Sequence, residues 1–168
     1  YDENLRERTV EMNSFILKGN ICYSISKTEL KTVSGYVVCS DGKCAGVFEE
    51  LPEKYKNLEL RDLNDRLIIP GMVDLHIHAP QYAFRGMGMD YELIEWLNTQ
   101  TFPEEAKYKD ADYAKKAYTI FADNMKNSAT TRACIFATRH REATEILMDL
   151  MEETGLVTYI GKINMDRS

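Results

Sequence analysis

The stretch that decides the fold of this chain is Leu67-Ile68-Ile69-Pro70-Gly71-Met72-Val73-Asp74-Leu75-His76-Ile77-His78. An apolar run passes through Pro-Gly and ends in two of the chain's three histidines, one residue apart. Residues i and i+2 of a β-strand point to the same face, so His76 and His78 can direct both imidazoles at one point. Imidazole nitrogen is a common ligand of zinc, at about 2.0–2.1 Å. The pair therefore predicts half of a metal site at the carboxyl end of a strand, the alternative being two hydrogen-bonded core histidines.

The sequence after residue 66 alternates apolar strand patterns with amphipathic helix patterns. Strand, helix, strand, helix, strand is the order of a parallel α/β unit. Three such strands cannot close a barrel that needs eight. We therefore expect an α/β fold in which residues 67–168 form an incomplete TIM (β/α)8 barrel, consisting of its first three βα units. The predicted elements are a buried strand at 67–78, an irregular segment at 81–90, helices at 91–98, 110–126 and 141–154, and strands at 130–138 and 156–164.

The chain before residue 67 divides into a charged leader and a run of short strands. Residues 1–12 are mostly polar or charged and are predicted to be frayed or partly helical. Residues 13–66 carry short apolar segments separated by turn signals, which predicts part of a small β-sandwich domain. Cys39 and Cys44 flank the turn sequence Ser-Asp-Gly-Lys and are expected to face each other on paired strands. A cross-strand disulfide is one outcome. Packed thiols and a cytoplasmic location are favoured, because no apolar secretion signal opens the sequence.

The composition is that of an ordinary globular protein, and it argues against two classes of partner, nucleic acid and membrane. Hydrophobic residues make up 44% and charged residues 29% of the 168 residues, and the formal net charge is −6. An acidic chain without a basic stripe offers little phosphate neutralisation, so nucleic acid is not expected as a partner. No window approaches the roughly 20 consecutive apolar residues of a membrane span, so no membrane partner is expected either. A free small molecule is the expected substrate.

Several short motifs of the sequence resemble motifs of a known enzyme family. Pro70-Gly71-Met72-Val73-Asp74-x-His76-x-His78 is similar to the first barrel strand of the amidohydrolase superfamily. Further phrases narrow the resemblance to the guanine deaminases, over residues 66 to 168. These phrases are His78-Ala79-Pro80-Gln81-Tyr82, Trp96-Leu97, Thr101-Phe102-Pro103-x-Glu105, Thr130-Thr131, Phe136-Ala137-Thr138 with His140 close behind, and Gly161-Lys162-Ile163-x-Met165-Asp166. The pair Ser128-Ala129 departs from the Gly-Thr expected before the second strand.

The resemblance implies hydrolytic deamination of guanine to xanthine and ammonia by a metal-activated hydroxide. It implies one divalent metal per subunit, zinc or else iron, with His76 and His78 as ligands. The remaining ligands and the proton-shuttling carboxylate would lie outside this sequence, which therefore holds no catalytic residue of its own. The substrate-binding residues implied are His78, Ala79, Pro80 and Gln81. The chain is then expected to be the N-terminal part of a longer, homodimeric enzyme and to be inactive when isolated.

Two other functions stay open at this point. One is a different amidohydrolase that acts on a cyclic amidine or a triazine, and the other is a catalytically inactive stand-alone module. Roles also stay open for several residues near the histidines. Asp74 either orients an imidazole or makes a structural bond, the latter being favoured. Arg85 could attract a purine carbonyl, a solvated surface arginine being favoured. The pocket-wall or core candidates are Met87, Met89, Trp96 and Phe102. Thr138, His140 and Lys162 are unassigned, and for Lys162 a buried charge paired with an acid is one interpretation.

Overall fold

The computed structural model describes residues 14–164 and divides the chain into two compact units between Pro70 and Gly71. The leader expected at residues 1–12 and the phrase Met165-Asp166 lie outside the described residues. No helix within residues 14–164 combines the length and apolarity needed to span a membrane. Each unit is a separate sheet-based structure.

The first unit is a four-stranded sheet in the order β3-β2-β1-β4. Its strands are β1 (Phe15–Ser24), β2 (Leu30–Ser40), β3 (Lys43–Phe48) and β4 (Glu59–Ile68), with a 3₁₀ turn at Glu53–Tyr55. β1 pairs antiparallel with β2 and parallel with β4, while β2 pairs antiparallel with β3. Ile16, Ile21 and Val38 are buried on it. The described part of this unit has one sheet, so the second layer of the predicted sandwich stays a prediction.

The hairpin between β2 and β3 follows local turn rules. Asp41 and Gly42 both have positive φ, at 52° and 70°, which a two-residue hairpin turn of the primed type requires. The turn sets Cys39 opposite Cys44, as the sequence predicts. Neither cysteine is in a disulfide. The sequence predicts packed thiols here, but the Cys44 side chain is exposed, so this part of the prediction is wrong.

The second unit is a parallel three-stranded sheet in the order β5-β6-β7. Asp110 caps the helix Ala111–Lys126 by accepting hydrogen bonds from the backbone N–H groups of Asp112 and Tyr113, and Gly155, with φ of 75°, comes after the helix Arg141–Glu153. The predicted order of strands and helices is confirmed, and no closed barrel exists within residues 14–164. The elements are β5 (Met72–His78), a 3₁₀ segment (Ala79–Phe84), α1 (Leu93–Trp96), a π-helical turn (Leu97–Thr101), α2 (Phe102–Lys107), α3 (Ala111–Lys126), β6 (Thr130–Phe136), α4 (Arg141–Glu153) and β7 (Val157–Gly161).

The core of the second unit lies between the sheet and the helices α3 and α4. Aromatic and aliphatic side chains fill it, and several are fully buried. The largest of them are Tyr108, Tyr118, Phe121, Ile135, Leu147 and Met151. β5 and the 3₁₀ segment Ala79–Phe84 pack against this core, through Ile77, Ala79 and Tyr82.

Two predicted elements are wrong in detail. The buried strand expected at 67–78 is two strands, because Pro70 has no N–H to donate to a ladder and Leu67 and Ile68 pair with β1 instead. Parts of it are exposed, Leu75 by 76%. The helix expected at 91–98 continues through the π turn to Lys107. The π turn ends at Thr101, two residues before Pro103, which has no backbone N–H to donate to a helical carbonyl.

Candidate metal and substrate site

His76 and His78, which follow the Pro70-Gly71 pair, lie at the carboxyl end of β5 and face each other. The Nε2 atoms of His76 and His78 are 3.2 Å apart. Two tetrahedral ligands at about 2.0–2.1 Å from one ion are themselves about 3.3 Å apart, so this separation fits a shared divalent ion. The donor set also fits, since imidazole suits zinc and iron. The residues present therefore suit the metal that the sequence predicts.

A phenyl ring of the neighbouring strand supports both imidazoles. Phe136, at the end of β6, pairs in register with His78. Its ring centroid is 4.6 Å from that of His76 and 4.8 Å from that of His78, and the His78 ring is stacked on it at 17°. Packing on one rigid ring limits rotation of both side chains and preorganises their nitrogens. The sequence shows Phe136 within a family phrase but does not indicate this contact.

The environment of His78 favours its neutral, metal-binding form. Burial, followed by the neighbouring His76 imidazole, lowers the pKa of His78. Metal ligation needs neutral imidazole, so the direction of this shift favours binding. Asp74 accepts a hydrogen bond from the backbone N–H of His76 at 3.0 Å, which is the structural role that the sequence analysis favours. The Nδ1 atom of His78 is buried and has no partner within residues 14–164.

The described residues provide only part of a metal centre. Within residues 14–164, no group of three or more histidine, cysteine, aspartate or glutamate side chains is close enough to hold a metal ion. A catalytic zinc ion usually has three protein ligands and one open position. His76 and His78 are therefore an incomplete ligand set.

The 3₁₀ segment Ala79–Phe84 follows the histidines directly and forms one side of a cleft of about 600 Å³. Ala79 and Pro80 are buried, so their side chains shape the segment. Gln81 is half-buried and lines the cleft with both histidines. A side-chain amide at this position can donate and accept hydrogen bonds beside a ligand held at the imidazoles.

A family model described as the amidohydrolase family matches residues 67–168. This chain belongs to the amidohydrolase family. The match begins at the Pro-Gly phrase and includes the histidine pair, the 3₁₀ segment and the whole parallel sheet.

Comparison with known proteins shows that this amidohydrolase chain is a homologue of guanine deaminases. It is 31% identical over 172 residues to guanine deaminase of Dictyostelium discoideum, covering 90% of this chain and 38% of the relative. It is 41% identical over 113 residues to the Mus musculus enzyme, covering 67% and 25%. The crystal structure of C. acetobutylicum guanine deaminase with guanine in its active site matches with a TM-score of 0.86 at 44% identity, covering 92% of this chain and 37% of that one. The chain thus spans about a quarter to two fifths of the length of these relatives.

More distant solved structures share the fold alone. A triazine hydrolase from Arthrobacter aurescens matches with a TM-score of 0.67 at 11% identity, covering 89% of this chain and 35% of that one. The resemblance to guanine deaminases that the sequence predicts is confirmed, and the fold agrees with the N-terminal part of their structures.

The rest of the cleft of this amidohydrolase is formed by the loop after the 3₁₀ segment. Arg85 is exposed, donates to the Tyr82 carbonyl at 2.8 Å and lies 4.0 Å over the Tyr82 ring. Trp96 donates to the Met87 carbonyl at 3.3 Å and packs on Phe84 at 5.6 Å, which fixes the loop to α1. The structure places three of the four wall candidates along the cleft, namely Met87, Met89 and Trp96, but not Phe102. Arg85 also lines the cleft.

The unassigned residues Thr138, His140 and Lys162 do not line the cleft beside the histidine pair. His140 precedes α4, and neither it nor Thr138 lines the cleft. Lys162 is exposed and donates to the Asn164 side chain at 2.6 Å, so the idea of a buried charge paired with an acid is wrong. None of these three side chains joins the candidate site.

Proposed function

We propose that this chain is the N-terminal part of a guanine deaminase, which hydrolyses guanine to xanthine and ammonia with one divalent metal, zinc or else iron. The observation that carries the proposal is the pair of imidazole nitrogens 3.2 Å apart beside a cleft that Gln81 also lines. Guanine deaminases of 31–41% identity and a matching structure with bound guanine support it. The parallel sheet would then be the first three βα units of a TIM barrel, and the first unit part of a β-sandwich.

The residues of this chain would bind the metal and the purine. His76 and His78 would each give one Nε2 atom to the metal, held in place by Phe136. The metal supplies Lewis acidity, which lowers the pKa of water enough to make a nucleophile at neutral pH. Gln81 would hydrogen-bond the edge of the purine, and Ala79 and Pro80 would set the shape of the segment that carries it. The proton-transfer groups would come from elsewhere in the complete polypeptide.

A substrate panel tests the proposal. The full-length polypeptide that contains this sequence, loaded with zinc, is expected to form xanthine and ammonia from guanine, followed by chromatography and an ammonia assay. The 168-residue chain alone is expected to be inactive, because its described residues, 14–164, offer two metal ligands rather than the usual three. Faster turnover of an aminotriazine than of guanine would favour the second amidohydrolase function. An intact natural polypeptide near 19.4 kDa would favour the inactive module.

Two features expected from the sequence accompany this proposal. We infer a homodimer from the family resemblance and a cytoplasmic location from the cysteine content. Sedimentation of the full-length polypeptide and fractionation of the source cells would test them independently of activity.

Gln81→Ala is expected to reduce kcat/KM for guanine by about ten- to a hundredfold, the effect of about 1–3 kcal/mol for hydrogen bonds lost to a buried polar ligand. Gln81→Glu is expected to be worse, because a carboxylate accepts hydrogen bonds but cannot donate them to the purine. Metal content should stay unchanged in both variants, since the amide is not a ligand. Steady-state kinetics with metal analysis of the same preparations measure both effects.

Asn98→Ala is the matched control, because it removes an exposed amide that does not line the cleft. It should leave kcat/KM unchanged. Wild-type kcat/KM in Gln81→Ala at full metal occupancy would show that Gln81 does not contact the substrate.

A further inference from the structure

The loop between the 3₁₀ segment and α1 brings two methionines to the cleft beside the histidine pair. We call residues 85–90 the wall loop. Met87 and Met89 line the cleft and are 55% and 80% exposed. A methionine side chain has several rotatable bonds and adapts its shape to what it touches. The position at which these side chains meet a ligand therefore depends on how firmly the backbone of the wall loop is held.

The first turn of the wall loop accounts for one of its two glycines. The Met87 N–H donates to the Phe84 carbonyl at 3.0 Å and closes the turn. Arg85 has φ of −52° and ψ of 134°, and Gly86 has φ of 79°, which are the values of a type II turn. Such a turn requires positive φ at the position of Gly86. A Cβ added there would meet no atom of the described residues within 4 Å.

The second glycine, Gly88, is explained by a close contact instead. It has φ of 64° and is the first residue of another turn, which the Tyr91 N–H closes by donating to the Gly88 carbonyl at 3.1 Å. An added Cβ would lie 3.0 Å from Tyr91 Cδ2, 3.1 Å from Trp96 Cδ1 and 3.3 Å from Gln100 Cγ. These distances are shorter than the optimal carbon–carbon separation of about 3.5–4.0 Å. The backbone at Gly88 therefore lies directly against the indole, where a side chain does not fit.

Trp96 contacts the wall loop and the residue before it at three points. Its Nε1–H donates to the Met87 carbonyl at 3.3 Å. Its ring packs on the buried Phe84 ring with centroids 5.6 Å apart, and its Cδ1 edge lies against Gly88. Because Met87 and Gly88 are consecutive, the indole holds the loop by a hydrogen bond and a close backbone contact just before Met89.

We propose that Gly88 and Trp96 are positioning residues for the substrate. Their contact holds the wall loop, so that Met87 and Met89 form a fixed apolar wall for a flat ring bound beside the histidine pair. Loss of the contact frees the loop and leaves the imidazoles on β5 in place. The effect on guanine binding rests on the proposed function, whereas the effect on the loop does not.

Hydrogen exchange measured by mass spectrometry on the full-length polypeptide tests the proposal without activity. Gly88→Ala adds the methyl group that the indole excludes, and Gly86→Ala adds the same group where the described residues leave room. Both variants place alanine at positive φ, so they share the strain of that conformation. Exchange in the peptide covering residues 85–92 should be about 3- to 10-fold faster in Gly88→Ala than in Gly86→Ala, as expected when about one hydrogen bond is lost. Equal exchange in the two variants would overturn the proposal.

Trp96→Phe is the second variant, and it decides the question should Gly88→Ala fail to fold. It keeps an aromatic ring at this position and removes the N–H that donates to the Met87 carbonyl. Exchange at residues 85–92 should rise about 3- to 10-fold, again the effect of about one lost hydrogen bond.

Tyr91→Phe is the matched control for Trp96→Phe. It removes a hydroxyl from the other ring beside Gly88 and keeps the ring itself. It should leave exchange at residues 85–92 unchanged. Unchanged exchange there in Trp96→Phe, or exchange raised equally throughout residues 14–164, would contradict the proposal.

Kinetics of guanine deamination provide the second readout. Gly88→Ala should raise the KM for guanine about tenfold, with kcat and metal content close to those of the wild type, because the histidine pair is untouched. An unchanged KM, or a fall in kcat together with loss of metal, would show that the contact does not position the substrate. If the wild-type polypeptide does not turn over guanine while the exchange differences persist, the proposed function fails and the role of Gly88 and Trp96 in holding the wall loop stands.

Discussion

His78→Ala is expected to remove the metal from the full-length polypeptide and to abolish deamination. His78 would supply one of the two nitrogens on β5, and its ring is stacked on Phe136. Without it, His76 alone would remain among residues 14–164 as a ligand of this metal, and metal content should fall below about a tenth of the wild-type value. Guanine turnover should fall on the order of a thousandfold or more, because water is no longer activated at neutral pH. Metal analysis by mass spectrometry and steady-state kinetics measure the two effects.

His140→Gln is the matched control for this prediction. His140 is the third histidine of the chain and does not line the cleft. The variant should keep its full metal content and its guanine turnover. Undiminished metal in His78→Ala would remove the histidine pair from the metal site, whatever its activity.

Phe121→Ala is expected to destabilise the second unit by about 3–5 kcal/mol, the range found when a buried phenylalanine is truncated. Phe121 is fully buried on α3 at the centre of the core. It also contacts the Tyr82 ring edge-on with centroids 5.5 Å apart, so the variant removes support from the 3₁₀ segment as well. Chemical denaturation of the full-length polypeptide, followed by circular dichroism, measures the loss.

Ile120→Ala provides the comparison on the adjacent residue of the same helix. Ile120 is 49% exposed, so its truncation leaves little or no cavity, and alanine has the higher helix propensity. We expect a change within about 0.5 kcal/mol. Equal losses in the two variants would mean that α3 does not pack through Phe121 as described.

The features that the sequence predicts correctly are those governed by short-range rules. The two-residue period of a strand puts His76 and His78 on one face, and this requires no knowledge of the rest of the fold. Asp110 as a helix cap, Gly155 as a helix terminator and Asp41-Gly42 as a hairpin turn likewise depend on the conformations and hydrogen bonds of neighbouring residues. Phrases of the sequence also identify the family, which the matches confirm.

The features that the sequence misses depend on contacts between distant segments. Phe136 supports the histidines only because β6 pairs with β5 in one register, with an irregularity between Asp74 and Ile77. The division of the predicted strand at Pro70 depends on the pairing of Leu67 and Ile68 with β1, about 47 residues away, rather than on their apolar character. A local pattern cannot specify which strand is the neighbour.

The sequence by itself therefore determined the histidine pair, the order of strands and helices and the family. Only the tertiary structure decided that Phe136 lies against both imidazoles and that Gln81 lines the same cleft. Backbone preferences act over a few residues and can be read in order along the chain. Burial and side-chain contacts arise when segments far apart in sequence pack together, so they appear only in the folded structure.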